Sequence, residues 1–470
     1  MNEQEDTRVN TSEEFRILAP TGTLGYGFSA DDFRRTVSNF APDLVAVDAG
    51  STDPGPYYLG AGKSFTSRAT IKYEIGLLVE ECLPRKVPVV IGNCGGAGGR
   101  PHLQWVNEIV MELAAERNWK LRLGIIDSEI DDRDRLKQIV SEGRSDPFES
   151  GTELTHDDID NATRIVAQLG PEPVAEVFAE EPDVVLVGRI CDDAIFSALP
   201  IVKGFDRGLA SYAGKVLECG ALACEPVEMD VLTAVIGNDY VIFDPGAQHR
   251  RSTVKSVTGH SLYERENPFE QAGPGGIVDL TGVTITQETE RSVRVQGVTF
   301  TPQPYTLKLE GAREVGYRSA CIAGIADPIL IEALPSVLET VRNRTEKRLE
   351  SAGLSARSIS FKRYGVDAVP LNQHAGASAA PAPSEVGVVI ETIADTAEDS
   401  LAVCHEVAGS LLHVDYPGQL NTAGNVAFPF SPAEFSVGQC FEFSIYHLIH
   451  IDDPNEFSTI TVKEIGGDDA

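Results

Sequence analysis

The sequence predicts an α/β fold: a parallel sheet with helices on both faces, a β-rich middle subdomain, and a smaller C-terminal α/β domain. Two patterns carry this. Up to about residue 230, short and nearly continuous apolar runs alternate with helical stretches, as strands buried on both faces require. From about 231 the runs alternate in polarity, which marks antiparallel strands with one wet face.

Taken in order, FRILAP (15–20) reads as a strand and SADDFRRTVSNF (29–40) as a helix with Ser29 as its N-cap. DLVAVDAG (43–50) is a strand, 66–83 a helix, and VPVVIGN (87–93) a strand. PHLQWVNEIVMELAAERN (101–118) is a helix with Pro101 in its first turn, and LRLGII (121–126) a strand. Helical patterns follow near 131–142 and 158–169, then the strand PDVVLVG (182–188) and helices at 192–199 and 207–223. Residues 275–312 are β-rich, 326–353 a long helix, and SISFKRYGV (358–366) a strand. HAGASAAPAPSE (374–385) has small residues, prolines and no core formers, so it reads as a flexible segment. The strand 386–396, the helix 400–414 and the strand 439–451 complete the chain. The expected domains are a Rossmann-like α/β domain over 13–230, a β-rich mixed domain over 231–373 and a small α/β domain over 386–465.

Composition excludes several classes. Among 470 residues, 71 Asp and Glu face 39 Lys and Arg, a net charge of −32. That balance argues against nucleic acid or an anionic membrane as partner, because both need a basic footprint. No apolar run approaches the ~18 residues of a membrane span, and the acidic start Met-Asn-Glu-Gln-Glu-Asp is neither a secretory signal nor a transit peptide. A cytoplasmic location is the expectation. The eight cysteines form no CxxC pair, so reduced and mostly buried thiols are expected rather than a disulfide framework or a zinc site.

In an open α/β sheet, ligands bind outside the carboxyl ends of the parallel strands. Five strand ends here carry polar or glycine-rich segments: Thr21 to Gly27, Asp48 to Asp53, Asn93 to Arg100, Asp127 to Glu129, and Arg189 to Asp193. If the strands are placed correctly, these groups share one rim. Gly95, Gly96, Gly98 and Gly99 sit between a strand and a helix start, where backbone N–H groups suit a phosphate or carboxylate and Arg100 would reinforce them. The loop is neither a Walker A, since no GK[ST] follows, nor a GxGxxG. The bland reading is a tight strand-to-helix turn. Asp48, Asp127, Glu129, Asp192 and Asp193 are candidates for proton transfer or for holding a hard cation such as magnesium, with Asp48 and Asp127 the pair for a metal. For Asp192 and Asp193 the bland reading is helix capping. Cys94 is a conceivable nucleophile or simply a small packed side chain. His260 falls in a turn-rich stretch beside Tyr263 and could move a proton near neutral pH, or be a hydrogen-bonded structural histidine. HExxH, GxSxG and SxxK are absent, leaving zinc-protease, esterase and β-lactamase readings without support.

Several longer phrases follow one another in a familiar order: ICDDAIFSALPI (190–201), YAGKVLECGALACEP (212–226), HSLYERENPFEQAGPGGIVDL (260–280), LKLEGAREVGYRS (307–319), IAGIADPILI (322–331) and YPGQLNTAGNVAFPFSP (416–432). Together they resemble the acyclic terpene utilisation family over roughly 14–450. The resemblance implies a catabolic role beside enzymes acting on branched acyl-CoA or small carboxylic acids. It also implies a small companion subunit and a homo- or hetero-oligomer. Its motifs point to Asp48, Asn93, Gly95, Gly96, Gly98, Gly99, Arg189, Asp192, His260, Tyr317, Arg318, Asn421 and Asn425. Cys94 departs from the small residue expected in that loop.

The expected function is a lyase of the hydratase or dehydratase kind, acting on a small carboxylic acid or its CoA thioester. It needs an anion cradle, a proton-transfer group and a way to stabilise an enolate-like charge. The glycine loop with Arg100, together with Arg189 or Arg318, would bind the acid. Asp48, Asp192 or His260 would move the proton; Asn93 would add a recognition amide, and Asn421 and Asn425 in NTAGN (421–425) would form a rigid recognition loop or simply a structural turn. An isomerase or racemase needs the same parts. The non-catalytic alternative is a large subunit for a companion protein or an acyl-CoA carboxylase.

Overall fold

The structure, a computed structural model, describes residues 14–148, 151–220, 222–263, 267–369, 383–419 and 424–466. They form two compact units. One runs to Arg313 and resumes at Phe443; the other is Glu314–Glu442.

The first unit is built on a ten-stranded sheet. In chain order its first members are β1 (Phe15–Ala19), β2 (Leu44–Asp48), β3 (Val89–Gly92) and β4 (Leu121–Asp127). A short strand outside this sheet, β5 (Arg164–Gln168), comes next, and then β6 (Val184–Val187). The parallel centre runs β1-β2-β3-β6-β4. Beyond β1, the sheet continues antiparallel through β7 (Leu232–Ile236) and β8 (Tyr240–Pro245). β9 (Thr284–Gln287) and β10 (Val293–Gln296) finish that side.

Side chains alternate between two cores, one on each face of the sheet. Leu18, Val45, Val47, Val89 and Ile91 pack with Phe33 and Val37 of α1 (Ala30–Phe40), Ile75 and Leu78 of α2 (Arg68–Cys82), and Val106 and Ile109 of α3 (Arg100–Arg117). Their neighbours Ile17, Leu44, Ala46, Val90, Val185 and Val187 pack with Ile195 and Phe196 of α4 (Ala194–Val202) and Leu209 and Tyr212 of α5 (Arg207–Glu218). A period-two strand with both faces buried explains the uninterrupted apolar runs. The helix starts are capped by the chain itself: Ser29 accepts from the Asp32 N–H and Asp206 from the Leu209 N–H.

Two local readings change. The 158–169 stretch is not one helix: residues His156–Asn161 form a short helix with a Thr155–Asp158 capping box, and Arg164–Gln168 is β5. Its apolar run is too short for periodicity to separate helix from strand, and antiparallel pairing with Lys308–Ala312 decides it. His260 lies on α6 (Val254–Ser261) rather than in a loop, because Thr253 and Ser256 form a reciprocal cap at its start. The 374–385 segment falls largely outside the described residues.

Strand β11 (Thr306–Ile325) contributes its first residues to the first unit and the rest to the second. In the second unit, Tyr317–Ile325 pairs antiparallel with β13 (Val386–Ala394), which also pairs with β12 (Ser358–Tyr364). Leu334, Leu338 and Val341 of α7 (Pro328–Ala352) and Val403, Val407 and Leu411 of α8 (Ala397–His413) pack on Cys321, Val388 and Ile390 to make this unit's core.

Candidate active site

The five parallel strands end on one edge, and the segments after β2, β3 and β6 join there in a row of buried polar side chains. Asn93, after β3, has φ +47°, a left-handed conformation that asparagine tolerates better than most residues. Its side chain bridges its neighbours: Nδ2 donates to Asp48 Oδ1 at 2.6 Å, and Oδ1 accepts from Arg189 Nη1 at 2.9 Å and the Ile190 N–H at 3.0 Å. The Arg189 guanidinium then forks onto Glu310, at 2.7 and 3.1 Å, and Lys308 Nζ reaches the same carboxylate at 2.9 Å. Arg189 and Glu310 side chains are 3% and 0% exposed. Lys308 and Glu310 are two apart on β11 and so share a face.

A second group adjoins Asp48. Lys215 and Glu218 are three apart on α5, on one helical face. Lys215 Nζ lies 2.9 Å from Asp192 and 3.1 Å from Glu218, and Cys219 Sγ donates to Glu218 Oε1 at 3.2 Å. The Asp192 side chain is 32% exposed, so the row opens to solvent at this end.

These surroundings separate the acids. Burial pushes the Asp48 carboxyl well above the usual range, and the negative charges of Glu218 and Asp192 add to it, against the Asn93 hydrogen bond and Arg189. Burial and the Asp192 charge push Glu218 up to about 7 despite Lys215. Burial would also raise Asp192, but the charge and hydrogen bond of Lys215, with Arg189, hold it below the usual range. Burial opposes ionised Glu310 too, yet Arg189 and Lys308 win and bring it to about 2.

The glycine loop has a different role from an open cradle. A Cβ on Gly96 would lie 2.3 Å from the Phe65 ring, one on Gly50 2.5 Å from the same ring, and one on Gly98 2.4 Å from the Arg189 nitrogen. Gly95 and Gly99 give room to His102 and to Glu129. The glycines therefore admit protein atoms and let the β3 loop press against the β6 loop. The anion at the start of α3 is the chain's own: the Arg100 N–H donates to Glu129 Oε2 at 2.7 Å. Arg100 Nε meets Asp127 at 2.5 Å, and its Nη2 meets Asp131 at 2.7 Å. Asp127 also accepts from the Glu129 N–H at 2.9 Å.

Asp48 and Asp127 thus belong to different networks, and their donor sets do not suit a shared divalent ion. Among the described residues, no group of three or more His, Cys, Asp or Glu could hold one. Burial pushes the Cys94 thiol up, away from a reactive thiolate. All eight cysteines are unbonded to one another. His260 is 4% exposed on α6, edge-on to Tyr263 with ring centroids 6.4 Å apart. Arg318 and Asn425 lie in the second unit. Arg318 meets Glu391 at 3.2 Å, while Asn425 Nδ2 donates to the Val414 carbonyl at 2.6 Å and its Oδ1 accepts from Gln419. Asn421 lies outside the described residues. Of the expected residues, Asp48, Asn93, Arg189 and Asp192 are brought together. Lys215, Glu218, Lys308 and Glu310 join them without having been expected.

Fold and site together define an α/β protein with a buried, mixed acid–base row at the carboxyl edge of its parallel sheet. The sequence pattern of the acyclic terpene utilisation family protein AtuA matches residues 67–429. The chain belongs to that family, whose membership implies a role in acyclic terpene utilisation. No curated protein and no solved structure matches the chain. Among the described residues, no helix is long and apolar enough to cross a membrane.

Proposed function

We propose that the chain is a lyase of the hydratase or dehydratase kind, acting on a small carboxylic acid or its CoA thioester in terpene breakdown. The observation that carries this is Lys215 held between Asp192 and Glu218 at the open end of the row that leads to Asp48. Removing water from a β-hydroxyacyl compound needs a base for the α-proton and an acid for the departing hydroxyl. Glu218, poised near neutrality, takes the α-proton as the C–H bond breaks, leaving the electron pair as an enolate. Asp48, whose burial favours the protonated form, gives its proton to the hydroxyl, and water leaves as the C–O bond breaks and the enolate pair forms the C=C bond. The Lys215 ammonium faces the enolate-like charge between these events, and Asp192 keeps Lys215 in place. Arg189 is fully engaged by Glu310 and Asn93, so it orients Asp48 through Asn93 rather than gripping substrate.

The test is a panel of unsaturated and β-hydroxy acids and their CoA thioesters, read by mass for gain or loss of one water. Turnover by the native protein is expected. Glu218→Gln should lose about 10²–10⁴-fold in kcat and the inflection near pH 7 in its rate profile. No turnover across the panel, with or without magnesium or manganese, would sink the reading. So would product of unchanged mass, which would favour the isomerase reading.

A further inference from the structure

A cleft of about 490 Å³ lies between the 62–68 segment and the first turns of α3. Small-molecule sites span about 300–1,000 Å³, so the space suits one ligand. Lys63 and Arg68 form its basic side, Ser64 and Thr66 supply hydroxyls, and α3 adds Trp105 and Glu108. The Lys63 ammonium has no ion-pair partner among the described residues. Arg68 Nη2 meets Glu112 at 2.8 Å, but its side chain stays 44% exposed and Glu112 is shared with Lys72. Ser64 Oγ and Thr66 Oγ1 lie 2.8 Å apart and share one hydrogen bond, which leaves one of their two protons to donate elsewhere. In a chain of net charge −32, two cations and a spare hydroxyl around one space are a local exception.

Trp105 and Glu108 are three apart on α3 and share a face. Trp105 is half-buried against the core, which fixes its ring. The 62–68 segment is held in shape as well. His102, 1% exposed, donates from Nε2 to the Lys63 carbonyl at 3.1 Å. Phe65 lies against Gly50 and Gly96 rather than in the cleft. Groups fixed in advance lose less freedom when a ligand arrives.

We infer that this cleft binds a free nucleoside phosphate. Lys63, Arg68 and the spare hydroxyl take the phosphate through charge-assisted hydrogen bonds. The Trp105 ring stacks on the base. Glu108 accepts from a ribose hydroxyl, as carboxylates do in nucleotide sites. An inorganic anion would leave the ring unused and be repelled by Glu108. The inference is independent of the lyase reading.

Calorimetric titration of the whole protein tests it, with AMP, ADP, adenosine, inorganic phosphate and coenzyme A as ligands. AMP and ADP should bind at one per chain, and adenosine and inorganic phosphate each about tenfold or more weaker. Lys63→Gln, an exposed change, should weaken AMP about tenfold or more without moving the melting temperature. Trp105→Leu should weaken AMP about 5–100-fold and leave inorganic phosphate unaffected. Because Trp105 also packs on the core, Glu108→Gln runs in parallel, and it should erase the preference for AMP over its 2′,3′-dideoxy analogue. Saturable binding of neither nucleotide overturns the inference, as does an AMP affinity that Lys63→Gln leaves unchanged or inorganic phosphate that binds as tightly as AMP. Coenzyme A binding more tightly than ADP, with the gain lost in Lys63→Gln, would also overturn it and assign the cleft to the nucleotide handle of a thioester substrate.

Discussion

Glu310 supports the buried row at the level of single residues. It compensates Arg189 and Lys308 in the interior, and removing one partner of a buried pair leaves the other charge uncompensated. Glu310→Gln should lower unfolding free energy by about 3–5 kcal/mol, measured by urea titration. Because its folded pKa is depressed to about 2, the stability it supplies is present above the ordinary carboxylate range and disappears as pH falls through about 2. Glu218 has the opposite sign. Its folded pKa is raised to about 7, so its contribution is present below the ordinary carboxylate range and is lost as pH rises through about 7. Glu218→Gln should flatten stability against pH between about 5 and 8; an unchanged slope would show that Glu218 is not in this environment. Asp48, Asn93, Arg189 and Asp192 were legible because each lies at or within a few residues of the carboxyl end of a parallel strand. Lys215 and Glu218 were not, since they come from the far end of a helix, where charged residues normally read as a solvated face. Lys308 and Glu310 looked like the wet side of an antiparallel strand until β5 and the β6 loop covered it.

At the level of elements, the close approach of the β3 and β6 loops depends on glycine. Gly98 has φ +69° and would place a Cβ 2.4 Å from the Arg189 nitrogen, a backbone atom that cannot swing aside. Gly143 has the same φ with nothing within 4 Å. Gly143→Ala should therefore cost only the backbone strain, about 1 kcal/mol. Gly98→Ala should cost about 2–4 kcal/mol and displace Arg189 from Asn93. Equal costs in parallel urea titrations would mean the two loops are not packed together. The glycine run was legible as a strand-to-helix turn, and its position at the sheet edge was correct. What filled it was not, because Phe65 and Glu129 come from separate segments, and only folding brings a ring and a carboxylate into the space that glycines leave. The same limit explains β5, whose identity is set by its partner on β11 rather than by its own five residues.

The whole molecule carries 71 acidic against 39 basic side chains, and most of that imbalance must lie at the surface, since the buried row pairs its own charges. Local ion pairs such as Lys72 with Glu112 and Glu116 gain little each, as exposed pairs do, and salt weakens them only modestly. The net excess of 32 negative charges acts over a longer range. At about 10 mM salt the screening length is roughly 30 Å, so charges repel across a whole domain; at about 150 mM it falls to roughly 8 Å and only near neighbours interact. The compact state, which holds like charges closer than the unfolded chain does, gains most from that screening. The melting temperature at neutral pH should therefore rise by several degrees between these two salt concentrations, with an equimolar neutral osmolyte as the control for solvent effects. A fall would show that specific pairs outweigh the net field. A flat response would mean that the surplus carboxylates already sit far enough apart, or are already protonated in sufficient number, for repulsion not to govern stability.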